Sequence, residues 1–194
     1  MQRWITSIIL ISAIAAPAYA SSAPVQPKPA GAMPGLTLTT TGFEDGGIIP
    51  NKYTQAAQGT PVSPALRWTN VPDGTVSFTL IVRDPDTSVN KTTTEILHWM
   101  VFNIPATARE LPEGVPAQVK LPDGATQALS QHGAVGYMGM GARAPGPYHH
   151  YSFELFALDT KLNLGPGATQ AEVLKAMDGH VLMKGVLVGR FHRP

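Results

Sequence analysis

The sequence contains no cysteine, which excludes disulfides, thiolate nucleophiles, cysteine-based zinc sites and N-terminal lipoprotein attachment together. Charge is scarce and balanced: 14% of residues are Asp, Glu, Lys or Arg, with 14 basic against 13 acidic side chains and a formal charge of +1. No basic field draws in nucleic acid, and no run of like charges marks an acidic or basic arm. Breakers, by contrast, are plentiful. The 19 glycines and 18 prolines among 194 residues rule out a coiled coil or helical bundle, while a hydrophobic fraction of 43% is too high for a disordered tail. These limits leave one loop-rich domain.

Arg3 precedes an apolar run from Ile5 to Ala16, and Ala18-Tyr19-Ala20 has the small-x-small form of a signal-peptidase site. Residues 1–20 therefore read as a secretory signal. The run is about twelve residues, short of the roughly twenty that cross a bilayer, so no membrane span is expected after cleavage. Removing Arg3 from the 14 basic side chains leaves 13 against 13 acidic, and the expected location is periplasmic or secreted. Residues 21–35 carry prolines at 24, 27, 29 and 34 among Ala, Ser and Gly, the composition of an extended tether. The folded domain is expected over 36–194.

From Leu36 onward short apolar runs alternate with turn clusters, so the fold is expected to be mainly β. The clearest strands are Leu36 to Thr39, Phe78 to Val82, His98 to Ile104 and Tyr151 to Leu158. Both faces of the last are largely apolar near its end, which predicts a central strand. Pro72-Asp73-Gly74, Pro122-Asp123-Gly124 and Pro85 within Asp84-Pro85-Asp86 are expected to mark turns where strands stop. One helix is predicted over Thr169 to Met177, with Thr169 and Glu172 as a capping box and Asp178-Gly179 ending it. Arg109 to Gly133 reads as one long connection, of a length that often carries function.

Three polar clusters bear on chemistry. Asp84-Pro85-Asp86 follows the strand Phe78 to Val82, and the proline holds the two carboxylates in defined directions; taken alone, it is an Asp-capped turn. His98-Trp99 opens an apolar strand, where alternation is expected to send imidazole and indole to opposite faces. A lone histidine there is ordinarily a satisfied core residue. The third cluster, Gly146-Pro147-Tyr148-His149-His150-Tyr151, feeds the central strand and puts His149 and Tyr151 on one face and His150 on the other. All three lie at strand ends, which can converge on one rim of a sandwich. An imidazole pair, a phenol and an aspartate converging there would suit a phosphate or carboxylate headgroup. Such ligands are expected to bind more weakly as the histidines lose charge above about pH 6.5.

A serine hydrolase is disfavoured by the lack of a Gly-x-Ser-x-Gly elbow. No His-x-x-x-His or His-Glu-x-x-His pattern points to a metal, no cofactor is indicated, and no activated nucleophile is present.

Several motifs recur in a fixed order: Ser63-Pro64-Ala65-Leu66-Arg67-Trp68, Val71-Pro72-Asp73-Gly74-Thr75, Asp84-Pro85-Asp86, Leu97-His98-Trp99-Met100-Val101-Phe102-Asn103-Ile104-Pro105, Gly136-Tyr137, and His149 through Asp159. Over most of Leu36 to Val188 the chain resembles the phosphatidylethanolamine-binding protein family, and within it the bacterial YbhB/YbcL, or Raf kinase inhibitor-like, type. The resemblance implies a Greek-key β-sandwich with a few peripheral helices and a small anion pocket at one rim. By the same resemblance, Asp84, His98, His149 and Tyr151 are the ligand-binding residues. Asp86 is implied to brace its loop, Trp99 to pack in the core, and His150 to stand where relatives often carry arginine. After Gly136-Tyr137 the chain departs from its relatives: Gly139, Met140, Gly141, Ala142 and Arg143 replace a more proline-rich loop. A softer wall and a roomier pocket are expected there, with Met140 flexible and Arg143 within reach of an anion.

The leading expectation is thus an exported binding or regulatory protein for a small phosphorylated or phospholipid-headgroup ligand, and not an enzyme. The alternative is a protein-docking inhibitor of a secreted enzyme or host factor, with the pocket modulatory, since the family name records kinase and protease inhibition by some members. A cytoplasmic kinase would never meet an exported chain.

Overall fold

The computed structural model describes residues 34–194; the signal sequence expected over 1–20 and nearly all of the tether expected over 21–35 lie outside the described residues. Two sheets carry the architecture. The smaller is built from β1 (Thr37–Thr40), β3 (Leu66–Thr69) and β6 (Glu110–Leu111) in the order β1-β3-β6. The larger contains β2 (Gly47–Ile48), β4 (Ser77–Ser88), β5 (Glu95–Pro105), β7 (Thr126–Gln127), β8 (His149–Leu158) and β9 (Val181–Phe191), ordered β2-β9-β8-β4-β5-β7. Within it, β8-β4-β5-β7 is antiparallel throughout. Three strands follow in sequence and a fourth returns beside the first, which is the Greek-key order.

Alternation along β4, β5 and β8 makes the larger sheet apolar on both faces. Leu80, Val82, Trp99, Val101, Phe153 and Leu155 pack toward the smaller sheet, against Leu38, Leu66, Trp68 and Leu111. Ile81, Met100, Phe102 and Leu158 face the other way and are covered by Val173 and Met177 of the helix α1 (Gln170–Met177). The sheet is thus buried from both sides, and β8 is interior to it, as its two apolar faces predict. Each fully buried aliphatic or aromatic side chain contributes roughly 1.5–3 kcal/mol of transfer free energy.

The predicted capping box is present: Thr169 Oγ1 accepts from the Glu172 N–H at 3.3 Å, and Glu172 Oε2 accepts from the Thr169 N–H at 2.8 Å. Among the described residues α1 is the one α-helix, beside a short 3₁₀ turn at Asn51–Tyr53. The Arg109 to Gly133 connection holds the two-residue strands β6 and β7 and is otherwise irregular.

Two expectations about strands are corrected. Asp84-Pro85-Asp86 does not end a strand; it lies inside β4. The pairing with β5 runs from Asp84↔Ile96 directly to Ser88↔Glu95, so residues 85–87 are extruded as a bulge, one of the few places where a sheet tolerates proline. His98 and Trp99 do not diverge to opposite faces either. Val82 pairs with Trp99 and Arg83 with Leu97, leaving His98 as the extra residue of a second bulge, and bulges suspend simple alternation.

Candidate functional site

The two bulges lie near one end of the larger sheet, and the start of β8 closes the gap beside them. Between them opens a cavity of about 520 Å³, lined by Asp84 and Thr87 of β4, Ile96 and His98 of β5, His149 of β8, Met138, Gly141, Ala142 and Arg143 of the loop that precedes β8, and Gln55, His132 and Arg193. The convergence expected from three strand-end clusters is therefore realised for Asp84, His98 and His149.

The floor of the cavity is ordered by hydrogen bonds. Asp84, 3% exposed, accepts from the Asp86 N–H at 2.9 Å and from the Thr87 hydroxyl at 3.1 Å. His149 Nδ1 lies 2.8 Å from Asp84 Oδ2, so the carboxylate receives the Nδ1 proton and sets the ring's orientation. His98, 2% exposed, donates from Nδ1 to the Gly139 carbonyl at 2.7 Å; a carbonyl only accepts, which places the proton on Nδ1. Its Nε2 is buried and meets no protein partner. Burial lowers the His98 pKa below the ordinary 6.5, against the raising effect of the bond to Gly139 and of Asp84. With its pKa held below 6.5, the His98 ring without a bound anion favours the neutral imidazole near neutral pH.

Tyr151 does not line the cavity. It shares the face of His149 but lies two residues deeper along β8, about 7 Å, where its ring packs edge-on to His98 with centroids 5.2 Å apart. Its hydroxyl accepts from the Ala142 N–H at 3.0 Å, and burial raises its pKa. Its work is to hold the loop. Asp86 also stays outside, as its implied bracing role requires: its carboxylate accepts from the His150 N–H at 2.6 Å and lies 2.9 Å from His150 Nδ1. The backbone bond from His150 lowers the Asp86 pKa.

The loop expected to be soft is pinned at successive residues. The Met138 N–H donates to the His98 carbonyl at 3.0 Å, and the Met140 carbonyl accepts from the Gln55 N–H at 2.9 Å. The Gly139 carbonyl meets His98, and Ala142 meets Tyr151. Met140 is fully buried in the inter-sheet core, so it packs behind the wall instead of flexing in it. Gly141 and Arg143 do line the cavity; Gly139 and Met140 support it from behind.

Arg143, Arg193 and His132 are exposed and stand at the mouth. Gln55, Thr87, His132 and Arg193 are cavity residues that strand patterning did not reveal. His132 projects from the tight turn in which the Gly133 N–H donates to the Ser130 carbonyl. Arg193 follows β9 and donates to Gln55 Oε1 at 2.9 Å. A deep floor that carries one carboxylate and two imidazoles thus sits beneath a cationic rim. Among the described residues, no group of three His, Asp or Glu side chains is placed to hold a metal ion, and no helix is long and apolar enough to cross a membrane.

Comparison with known proteins agrees with this architecture. The sequence model of the phosphatidylethanolamine-binding protein family matches residues 39–192. A UPF0098 protein of Methanothermobacter thermautotrophicus is 42% identical over 158 residues, spanning 81% of this chain and 99% of that one. The UPF0098 protein YbhB of Escherichia coli is 33% identical over 161 residues, spanning 80% and 99%. Among solved structures, that of E. coli YbcL, described as a member of the mammalian PEBP family, superposes with a TM-score of 0.74 at 28% identity, covering 83% of this chain and all of that one. The motifs, the Greek-key sandwich and these matches converge: the chain belongs to the phosphatidylethanolamine-binding protein family.

Proposed function

We propose that this family member is a binding protein whose cavity receives a phosphate-like anion or the phosphorylated headgroup of a lipid. The observation that carries the reading is the charge balance of the cavity. Arg143 and Arg193 at the mouth face a single lining carboxylate, Asp84, and that carboxylate is engaged by His149. Exposed arginines steer an anion inward and bind it with forked donors, while the apolar Ile96 and Met138 offer a surface to an organic substituent. The Thr87 hydroxyl lies 3.3 Å from His149 Nδ1, but that nitrogen and the hydroxyl are both directed at Asp84 Oδ2, which leaves the hydroxyl without a free base beside it, so we read the cavity's chemistry as capture, not turnover.

The test is calorimetric titration of inorganic phosphate and phosphoethanolamine into the protein and its Arg143→Gln, Arg193→Gln double variant. Saturable binding that weakens at least about ten-fold in the variant is expected. No binding to the wild-type protein would overturn the reading and turn attention to protein docking. From the apolar run and the Ala18-Tyr19-Ala20 site of residues 1–20 we infer, separately, that the protein is exported to the periplasm or outside the cell after their removal. Intact-mass measurement of the exported fraction should find Ser21 as the first residue, and retention of Met1 there would refute export by cleavage.

A further inference from the structure

The cavity mouth is bordered by a surface that capture of a free anion does not use. Arg143 and His149 both line the cavity, and the chain between them, Ala144-Pro145-Gly146-Pro147-Tyr148, is exposed at every residue and carries no charge. Soluble proteins rarely leave a contiguous uncharged, largely apolar stretch in water unless it meets something. This one is built to keep its shape. Its two prolines fix their own φ, and a Cβ on Gly146 would lie 2.9 Å from the Arg143 carbonyl oxygen, so the chain folds back tightly on itself. Tyr148, 43% exposed, closes the loop. Its ring meets that of His192 with centroids 4.1 Å apart, and the Arg190 guanidinium lies 5.8 Å from its centroid, so the aromatic is held at the surface and not folded into the core.

We propose that this loop seats the protein on a lipid surface: Ala144 to Tyr148 enters the interfacial layer of a bilayer that contains anionic lipids, and Arg143, Arg190 and Arg193 meet the phosphates around it. The proposal goes beyond the cavity, because Tyr148 and Arg190 line no part of it. Chemistry selects the partner. A tyrosine joins an apolar ring to a polar tip, which suits the headgroup level of a membrane, and a guanidinium offers a phosphate paired donors. Arg190 is fixed in place, its Nε–H donating to the Gly46 carbonyl at 2.6 Å. Two acids stand near it, and both are turned to backbone N–H groups: Asp86 accepts from His150 and Asp45 from Val188. A protein partner fits less well. A stable protein interface buries roughly 800 Å² on each side, far more than a five-residue loop offers, whereas a bilayer needs only shallow insertion beside positive charge.

Neither part suffices alone. Each basic side chain near an anionic surface raises affinity about five-fold and is screened by salt, while the loop adds an apolar contribution that salt does not screen; together they make a reversible attachment. Orientation follows from the chain. Because both ends of the loop line the cavity, a protein seated by it turns the cavity mouth toward the headgroup layer.

The experiment measures co-sedimentation of the protein with vesicles of phosphatidylcholine alone and of phosphatidylcholine mixed with phosphatidylglycerol, for the wild type and for Tyr148→Ser, Arg190→Gln and Tyr148→Trp. All four carry the same N-terminus, so differences among them report on the loop. The wild type should bind the mixed vesicles at least about ten-fold more tightly than phosphatidylcholine alone, and added salt should weaken that binding. Tyr148→Ser should lose affinity several-fold, and Arg190→Gln about five-fold. Trp68 and Trp99 are buried, so relative to the wild type the indole introduced by Tyr148→Trp should shift its emission to the blue on mixed vesicles and be quenched by bromine-labelled lipid chains. A purely ionic contact would leave that indole in water. Phosphoethanolamine in solution should bind Tyr148→Ser as it binds the wild type, which keeps the two readings apart: its failure to bind either protein would overturn the anion cavity and leave the loop standing. Absence of binding to the mixed vesicles, binding that Tyr148→Ser does not weaken, or an unshifted indole would overturn the lipid-surface proposal and turn attention to a protein partner for this face.

Discussion

His149 Nδ1 and Asp84 Oδ2 are 2.8 Å apart, although 65 residues separate them in the chain, and this pair joins the bulge of β4 to the start of β8. The Thr87 hydroxyl donates to the same Asp84 oxygen at 3.1 Å, and the Asp86 N–H satisfies the other. A carboxylate is needed because donors reach both oxygens, the Asp86 N–H at Oδ1 and Thr87 with His149 at Oδ2. Asp84→Asn presents an amide N–H to at least one of these three donors. Hydrogen bonds to charged groups contribute roughly 1.5–3 kcal/mol, and a loss of that order in urea-unfolding free energy is expected. The His149 ring should also switch its neutral tautomer from Nδ1–H to Nε2–H, visible in imidazole ¹⁵N shifts in alkaline solution. An unchanged tautomer would show that Asp84 does not orient the ring.

Tyr151→Phe keeps the ring that packs on His98 and removes only the oxygen that accepts from Ala142. Leaving a buried N–H unpaired costs about 1–3 kcal/mol, and for a domain of this size each kcal/mol moves Tm by roughly 2–4 °C. The melting temperature should fall accordingly. Phosphate affinity should fall as well, since Gly141 to Arg143 lose their anchor. A variant with wild-type Tm would deny the hydroxyl its bracing role.

Gly139 has φ +73°, and a Cβ placed there would lie 2.8 Å from Pro61 Cβ and Cγ. Strain and collision act together at the residue whose carbonyl holds His98. Gly139→Ala should destabilise the protein by more than about 1 kcal/mol, measured by urea unfolding, whereas Gly133→Ala, also at positive φ but with open space around it, should lose less. Equal losses would assign the effect to φ alone.

Legibility in the sequence followed the physics of each segment. Tyr151 to Leu158 could be read because its alternation is a local property, and α1 because Thr169 and Glu172 state its start in side-chain chemistry. β9 was opaque. Its Gly185 and Gly189 look like breakers, yet a Cβ at either would come within 2.6 Å of Leu36 O or Ile49 Cγ1, so they are close-approach positions of a strand. The bulges at His98 and at residues 85–87 were hidden for another reason: a bulge is defined by the partner strand's register, which no local pattern contains. In the site, Asp84, His98 and His149 were visible as polar residues at strand ends. Tyr151 was assigned to the cavity because alternation reports face and not depth. Gln55, His132 and Arg193 come from three segments that only tertiary packing brings together, and nothing in their local sequence marks them.

The buried imidazole of His98 makes a prediction about stability. Its folded pKa is lowered from 6.5, chiefly by burial, so below about pH 6.5 the unfolded chain takes up a proton that the folded protein refuses. The sign follows directly. Stability rises with pH between the folded and unfolded values, is lost as pH falls from about 6.5 toward the folded value, and receives nothing further from His98 above that window. One proton sets an upper slope of about 1.4 kcal/mol per pH unit. The side chain of His98→Asn can still donate to the Gly139 carbonyl through its amide but has nothing to titrate, so it separates this effect from that of the other five histidines. Urea unfolding between pH 5 and 8 should give the wild-type protein a steeper acid loss than the variant, and the His98 ring protons should titrate below 6.5 by NMR. Parallel stability curves for the two proteins, or a His98 midpoint above 6.5, would mean that burial does not keep this ring neutral.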